Sequence, residues 1–234
     1  GHARGVLEQY EELAREISGT VETPRGRLRV TAPVMFGRMH VAPLLLSFMD
    51  GYPHIELDFV LADRNLDLVY EEIDVAFRIG KLQESGLIAR YLGEVRGIVV
   101  ASPSYIDRRG CPKTPDDIAK HDIVFFSSSP QAPEWRFKIA EKEVAIRTTP
   151  RITVNQADAA IFAARMGRGV TSVSSYQAMP DIEQGHLVRV LREFETDPIP
   201  VNLVMPSVRH MPRRVRAFVD YCVVHFSSAF ENAS

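Results

Sequence analysis

The sequence has few cysteines, no excess of basic residues and no long apolar run, and each absence removes a class of protein. Only Cys111 and Cys222 occur, and their spacing matches no metal or redox motif. The 28 Lys and Arg against 30 Asp and Glu give a formal net charge of -2, which leaves no basic surface for nucleic acid. No apolar run reaches the roughly 18 residues of a membrane-spanning helix. These absences indicate a protein of a reducing compartment, with no membrane partner and no DNA site of its own.

Catalytic motifs are also missing. The sequence contains no G-x-S-x-G, no H-E-x-x-H, no P-loop and no dinucleotide-binding fingerprint. His121 with Asp122, or Glu71 with Glu72, are conceivable acid–base pairs, but adjacent side chains on a helix point apart. The two glutamates are therefore better interpreted as a solvated face, and we predict no enzyme activity, no cofactor and no metal site. The chain starts with GHARG and not with a signal sequence, so we expect a cytoplasmic protein.

The first segment differs in character from the rest. Val6, Tyr10, Leu13 and Ile17 recur at spacings of four, three and four residues, as in the a/d seam of a coiled coil. Two heptads are fewer than the roughly three that predict a coiled coil, so an amphipathic helix packed on its own domain stays equally open. We assign residues 1–24 to this helix and the linker that follows it.

From residue 25 the pattern is that of an α/β protein. Strands alternate with helical stripes, which predicts parallel strand pairing with right-handed crossovers. His40 is expected on the outer side of its helix. The predicted elements of this first lobe are strands 28–32, 55–61 and 73–80, with helices 41–49 and 66–72 between them.

A second lobe begins with two helix starts. Ser102 precedes Pro103, and Thr114, Pro115 and Asp117 form a capping box. The last strand and helix have no βαβ partner in the second half, so we expect the chain to return to the first lobe. The other predicted elements are strand 123–126, a hairpin across 135–139 and 144–148, strand 152–154, a helix capped by Asn155, strands 170–174, 187–191 and 201–205, and a helix opened by Pro212 whose inner face is Val215, Phe218, Val219, Cys222, Val223 and Phe226.

The predicted fold class is therefore α/β, with two Rossmann-like lobes joined by hinge strands. Lobe I comprises residues 25–100 and 203–234, and lobe II comprises residues 101–202. In open parallel sheets, ligands bind beyond the carboxyl ends of the strands. We therefore expect a ligand in the cleft between the lobes.

The groups expected at this cleft suit a small organic acid. The helices that begin after Ala32 and after Val154 would each point backbone N–H groups and a positive dipole end inward. Arg78, at the end of the third strand, adds a positive charge that can clasp a carboxylate. Hydroxyl groups would come from residues 127–129, and an apolar wall would complete the pocket. The wall residues are Val34, Met35, Phe36, Phe77 and Phe125.

Several of these residues have structural alternatives. Arg78 is equally well explained by an ion pair with Asp58 or Asp74 within lobe I. Phe77 and Phe125 are better explained as core side chains, and the serine run as a solvated loop. The backbone turn at residues 33–37 is the strongest candidate, because its position follows from topology and not from one side chain.

Five stretches of the sequence resemble the effector-binding domain of LysR-type transcriptional regulators. They are RLRVTAPVMFGRMHVAPLLLSFMDGYPHIELDF, DLVYEEIDVAFRIGKLQESGLIARYLGEVRGIVVASPSYIDRRGCPKTPDDIAKHD, VNQADAAIFAARMGRGV, GHLVRVL and MPRRVRAFVDYCVVHF. The resemblance covers residues 27–226 and implies a type II periplasmic-binding-protein-like fold with a small effector in the cleft. It also implies a homodimer or homotetramer that binds promoter DNA only through a winged helix-turn-helix domain, which this sequence lacks. Residues 6–17 would be the end of the linker helix.

The family's effector contacts fall on the turn after the first strand, the end of the third strand, and the facing edge of lobe II. One departure is visible, because relatives often have Gly-Ile followed shortly by Leu-Pro where this chain has GVTSVSSYQAMP. Ser174 and Ser175 in place of the proline predict a more polar and less rigid cleft edge. The implied effector-binding residues are Ala32, Pro33, Val34, Met35, Phe36, Phe77, Arg78, Ile79, Phe126, Ser127, Asn155, Gln156, Val204 and Pro206.

The resemblance implies a ligand-sensing regulatory domain. An effector that fits the closed cleft better than the open one would shift the angle between the lobes, and the oligomer would transmit that shift to DNA-binding domains. The alternative is a periplasmic-type solute-binding receptor, which would share the fold and the cleft. A receptor would carry a signal peptide and no heptad helix, whereas this chain has VLEQYEELAREI. We therefore expect a regulator.

Overall fold

The computed structural model describes residues 23–82, 86–127, 132–207 and 211–226. They form two five-stranded mixed sheets and one two-stranded hairpin, flanked by helices. This confirms the predicted α/β architecture of two lobes. The predicted N-terminal helix lies outside the described residues. Within them, no helix is both long enough and apolar enough to cross a membrane.

The helices and strands follow the chain in two series. The first is β1 (Gly26–Ala32), α1 (Val34–Phe36), a π-helical turn (Gly37–Val41), α2 (Ala42–Gly51), β2 (Ile55–Leu61), β3 (Val75–Ile79), β4 (Leu87–Val95), β5 (Gly97–Ala101), α3 (Pro103–Arg109) and a 3-10 helix (Pro115–Lys120). The second is β6 (Ile123–Phe126), β7 (Glu134–Ile139), β8 (Lys142–Arg147), β9 (Pro150–Val154), α4 (Ala157–Arg165), β10 (Val170–Ser174), α5 (Ser175–Glu183), β11 (Val188–Val190), a 3-10 helix (Arg192–Phe194), β12 (Ile199–Pro206) and α6 (Arg213–His225).

Lobe I is built on a sheet with the strand order β2-β1-β3-β12-β4. β1 is parallel to β2 and β3, as predicted, whereas β12 is antiparallel to β3 and β4 because it returns from lobe II. Helix α6 packs on this sheet through Val215, Phe218 and Cys222, which are buried. The prediction that Val223 belongs to the inner face was wrong, since 46% of this residue is exposed.

Lobe II is built on a sheet with the strand order β11-β5-β10-β6-β9. The predicted starts of both helical segments are confirmed. The side chain of Ser102 accepts a hydrogen bond from the backbone N–H of Tyr105 at 3.3 Å. The capping box of Thr114 and Asp117 is present, although it opens a 3-10 helix. The predicted hairpin is confirmed as β7 and β8.

Two helix predictions failed for local reasons. Residues 66–72 do not form a helix: residues 68–72 form turns, and the Asp67 carboxylate accepts the backbone N–H groups of Val69 and Tyr70, both at 3.0 Å. Such a local side-chain contact competes with helix formation. The N-cap of α4 is Gln156 and not Asn155, so the predicted cap lies one residue too early.

The chain crosses between the lobes earlier than the predicted boundaries at residues 100 and 202. β4 ends in lobe I at Val95 and β5 begins in lobe II at Gly97, and β12 lies wholly in the sheet of lobe I. At the first crossover, the carbonyl oxygen of Arg96 accepts the backbone N–H of Ser175 at 2.7 Å. Ser175 is buried, so it ties α5 to the crossover and does not form the polar edge predicted for it.

Candidate functional site

A small cavity lies beyond the carboxyl ends of β1 and β3, where the sequence predicts the effector site. Its volume is about 60 Å³, whereas pockets for organic ligands usually measure roughly 300–1,000 Å³. The cavity therefore has room for water-sized groups and is smaller than such a pocket. Five of the predicted site residues line it: Ala32, Pro33, Phe77, Arg78 and Ile79.

Arg78 lies on the cavity wall and is held by the backbone of lobe I. Its Nη2 donates to the carbonyl oxygen of Leu66 at 2.9 Å, which fastens the loop after β2. The two aspartates considered as ion-pair partners contact Arg29: Asp58 lies 3.4 Å from its Nε, and Asp74 accepts its backbone N–H at 2.9 Å. The bond to Leu66 places the guanidinium group at the predicted cleft.

The start of α1 has an anion from the chain itself. The backbone N–H of Val34 donates to Oδ1 of Asp63 at 2.9 Å. Asp63 lies two residues after the end of β2 and also lines the cavity. A carboxylate thus occupies the position at the helix start where the sequence analysis places the anionic effector. Sequence reasoning missed Asp63, although an acidic residue just after a parallel strand is a recognisable signal of a group at the ligand-binding edge.

An aromatic contact joins the two lobes beside this turn. Phe36 and His40, from lobe I, each lie 5.4 Å from Tyr176 of α5, measured between ring centroids. Phe36 is fully buried and also contacts Phe77 and Phe226, at 6.3 and 5.8 Å. The prediction that His40 faces outward was wrong, because its ring meets lobe II. Met35 and Phe77 are buried as well, and their side chains belong to a hydrophobic core that includes residues of both lobes.

The ionisation of Tyr176, in lobe II, depends on a charged residue of lobe I. The pKa of its phenol is raised, first by burial and then by the negative charge of Asp63. The phenol therefore stays neutral and keeps its O–H donor. Sequence reasoning missed Tyr176, because the only signal in its segment was the departure from the family pattern at residues 174–175.

The predicted residues of lobe II do not line the small cavity. Phe126 is half-buried at the end of β6, and the backbone N–H of Ser127 donates to the carbonyl oxygen of Val154 at 3.0 Å. Asn155 is exposed and Gln156 begins α4. Of the serine run, residues 128 and 129 lie outside the described part of the chain.

A charged contact also bridges the lobes near α4. Arg38 lies 3.8 Å from Asp158. Of the two predicted residues on β12, Val204 is buried in a small core with Leu66, and Pro206 is half-buried at the end of the strand. Within residues 23–82, 86–127, 132–207 and 211–226, no group of three or more metal-ligating side chains is close enough to hold a metal ion.

His40 gives the structure a pH dependence. Burial lowers the pKa of its imidazole below the ordinary value of 6.5. The unfolded chain therefore binds the proton more readily than the folded protein. The free energy of unfolding is highest above that value and falls as the pH drops through it.

We expect the free energy of unfolding of the His40→Gln variant to fall less on acidification than that of the parent, measured by urea denaturation above and below the ordinary histidine pKa. The exposed His54→Gln variant serves as the control, and equal losses in all three proteins would contradict the assignment.

Comparisons with known proteins bear on the family and the fold of this chain. Residues 22–227 match the sequence model of the LysR substrate binding domain. A transcriptional regulator of the helix-turn-helix type from Xanthomonas campestris pv. campestris is 32% identical over 230 residues, which cover 97% of this chain and 67% of the relative. An uncharacterised regulator of the same type from Haemophilus influenzae is 27% identical over 212 residues, or 91% of this chain and 74% of the relative.

Solved structures give the same result. The full-length structure of AphB, a virulence activator of Vibrio cholerae and a member of the LTTR family, superposes with a TM-score of 0.79 at 27% identity, covering 96% of this chain and 77% of that one. The regulatory domain of CrgA from Neisseria meningitidis superposes with a TM-score of 0.76 at 29% identity, covering 87% of this chain and 100% of that one. The relatives share the two-lobed architecture of a type II periplasmic-binding-protein-like fold.

Proposed function

Because the chain belongs to the LysR substrate-binding domain family, we propose that it senses a small organic acid in the cleft between its lobes. The relatives are named as transcriptional regulators, which favours a regulator over a periplasmic receptor or an enzyme. We infer that the regulator works in the cytoplasm as a homodimer or homotetramer and reaches promoter DNA through a separate N-terminal domain. The domain would pass the state of its cleft to that partner domain through the geometry of the oligomer.

The observation that carries the proposal is the position of Arg78. Arg78 lines the cavity, its guanidinium group is held by the bond to Leu66, and a guanidinium fork matches the two oxygens of a carboxylate. The same cavity is lined by the apolar residues Ala32, Pro33 and Leu66. The combination of one fixed cation with apolar neighbours suits an acid that has an apolar body.

Asp63 suggests how effector binding would change the contact between the lobes. An effector carboxylate that reaches the N–H of Val34 would replace the carboxylate of Asp63, which holds that position at 2.9 Å. Displacing Asp63 would remove a negative charge from the surroundings of Tyr176, on the opposite lobe. The effector would thus act on the contact between the lobes, and the remaining contacts would come from Pro33 in lobe I and from Ser127, Asn155 and Gln156 in lobe II. A ligand shifts such an equilibrium only by the difference between its affinities for the two states.

The proposal predicts a selective stabilisation by one class of ligand. A panel of aliphatic and aromatic carboxylates is screened by thermal unfolding of the parent domain and of two variants, Arg78→Ala and Arg90→Ala. Arg90 is an exposed arginine of β4 and serves as the matched control. A ligand at a hundredfold excess over its Kd stabilises the folded state by about 2.7 kcal/mol. We expect one acid to raise the midpoint of the parent and of Arg90→Ala, and to leave that of Arg78→Ala unchanged.

Two outcomes would contradict the proposal. If no acid shifts any of the three proteins, the cleft does not sense carboxylates. If an acid shifts Arg78→Ala as much as the parent, Arg78 does not belong to its site.

A further inference from the structure

A second and larger cavity lies in lobe II, at the end opposite the cleft. The cleft faces the carboxyl ends of β6 and β9, whereas this cavity adjoins Asp122, just before β6, and Arg151, at the start of β9. Its volume is about 490 Å³, which is within the range of roughly 300–1,000 Å³ of pockets for organic ligands. None of the residues proposed for the effector site lines this second cavity.

The residues that line this cavity carry a concentrated positive charge. They include four arginines, Arg108, Arg109, Arg151 and Arg168, and one aspartate, Asp122. The formal charge of this set is +3, whereas the whole chain has a formal net charge of -2. Like charges held close together repel one another, and a bound anion would relieve that repulsion. The one carboxylate in this set, that of Asp122, leaves the excess positive charge uncompensated within the cavity lining.

Arg108 is held in place before any ligand binds. Its Nη1 donates to the carbonyl oxygen of Ser104 at 2.9 Å, and its Nη2 donates to that of Gly167 at 2.8 Å. The guanidinium carbon lies 6.0 Å from the ring centroid of Tyr105, which is buried. Two backbone acceptors and an aromatic face thus fix the orientation of this cation, and a preorganised donor loses little entropy on binding.

Asp122 contacts two further arginines of the cavity, Arg109 and Arg151. Its Oδ1 lies 3.1 Å from Nη1 of Arg151, and its Oδ2 lies 4.0 Å from Nε of Arg109. The backbone N–H of Asp122 donates to the Tyr105 hydroxyl at 2.9 Å, which holds the aspartate against α3. One carboxylate therefore draws guanidinium groups from α3 and β9 to the same side of the cavity.

We propose that this arginine cavity is a second ligand site, which binds a compact polyanion of the class of small phosphates and polycarboxylates. Guanidinium groups pair with two oxygens of a phosphate or carboxylate at once, and several of them suit a ligand that carries several charges. The site would make the domain responsive to a second small molecule, independently of the acid in the cleft.

Calorimetric titration of the domain with pyrophosphate and, in a separate arm, with citrate tests the proposal. The two probes share multiple negative charges and distinguish phosphate from carboxylate as the preferred group. We expect binding of at least one probe and a Kd that rises tenfold or more in the Arg151→Gln/Arg168→Gln variant. The variant Arg192→Gln, an exposed arginine of lobe II outside the cavity, should bind like the parent.

A second variant moves the affinity in the opposite direction. Asp122→Asn removes the negative charge that competes with the ligand for Arg109 and Arg151, so we expect it to lower the Kd severalfold. A gain in affinity cannot result from poor folding. The proposal is overturned if neither probe binds, if sodium chloride at equal ionic strength gives the same heat, or if the double variant binds as tightly as Arg192→Gln.

Discussion

Replacing Phe36 with alanine is expected to lower the free energy of unfolding by about 3–5 kcal/mol, the usual cost of removing a buried aromatic ring. Phe36 is fully buried and its ring contacts Phe77, Phe226 and, across the lobe boundary, Tyr176. The substitution therefore leaves a cavity that three neighbouring rings border and that neither lobe can fill alone. Urea denaturation of the variant and the parent measures the loss.

Phe162 provides the control for this experiment. It is a phenylalanine of α4 that is 62% exposed, so Phe162→Ala should change the free energy of unfolding by no more than about 0.5 kcal/mol. An equally small effect of Phe36→Ala would mean that the aromatic contact between the lobes is not part of the folded core. The contact between Phe36 and Tyr176 would then not couple the turn after β1 to α5.

Replacing Gly169 with alanine is expected to cost about 3 kcal/mol, the upper end of the range for overpacking. A Cβ atom at this position would lie 2.2 Å from the carbonyl oxygen of Asp122. That oxygen also accepts the backbone N–H of Val170 at 2.9 Å, so the two segments cannot separate without losing this bond at the start of β10. The clash is with backbone, and rotation of a side chain does not relieve it.

Gly51→Ala is the matched control for the glycine prediction. No atom lies within 4 Å of a Cβ built at Gly51, and the residue ends helix α2. Alanine is favoured over glycine in helices by up to about 1 kcal/mol, so this variant should be as stable as the parent or slightly more stable. If Gly169→Ala unfolds at the same urea concentration as Gly51→Ala, that result would contradict the close approach of Gly169 to the backbone of Asp122.

The parts of the fold that follow a simple hydrophobic period were predictable from the sequence. The alternation of Ile55, Leu57 and Phe59 gave β2, and the start of α6 after Pro212 gave the last helix. The failures occur where a polar side chain overrides the period. Asp67 binds two backbone N–H groups and replaces the predicted helix by turns. Helix α5 was missed because its segment, SYQAMPDIE, has few apolar residues and contains Pro180.

The candidate site was predictable only as far as topology determines it. The position of the turn after β1 and of Arg78 at the end of β3 follows from parallel strand order, and both line the cavity. The partners of these groups come from distant segments. Asp63 reaches the start of α1 from the loop after β2, and Tyr176 approaches Phe36 from lobe II. No local pattern specifies such contacts, because they depend on how the lobes meet.

The distance between the lobes, measured with and without a bound acid, tests the central claim most directly. Cys111 of lobe II is exposed and accepts a spin label, whereas Cys222 is buried and burial raises the pKa of its thiol. A second label is placed in lobe I by Val69→Cys, at a position that is 70% exposed. Pulsed electron paramagnetic resonance then gives the distance between the two labels. We predict that the acid identified by thermal unfolding shifts this distance in the parent and leaves it unchanged in Arg78→Ala. An unchanged distance in the parent, with the acid bound at saturation, would contradict the claim that the domain senses its effector through the geometry of its lobes.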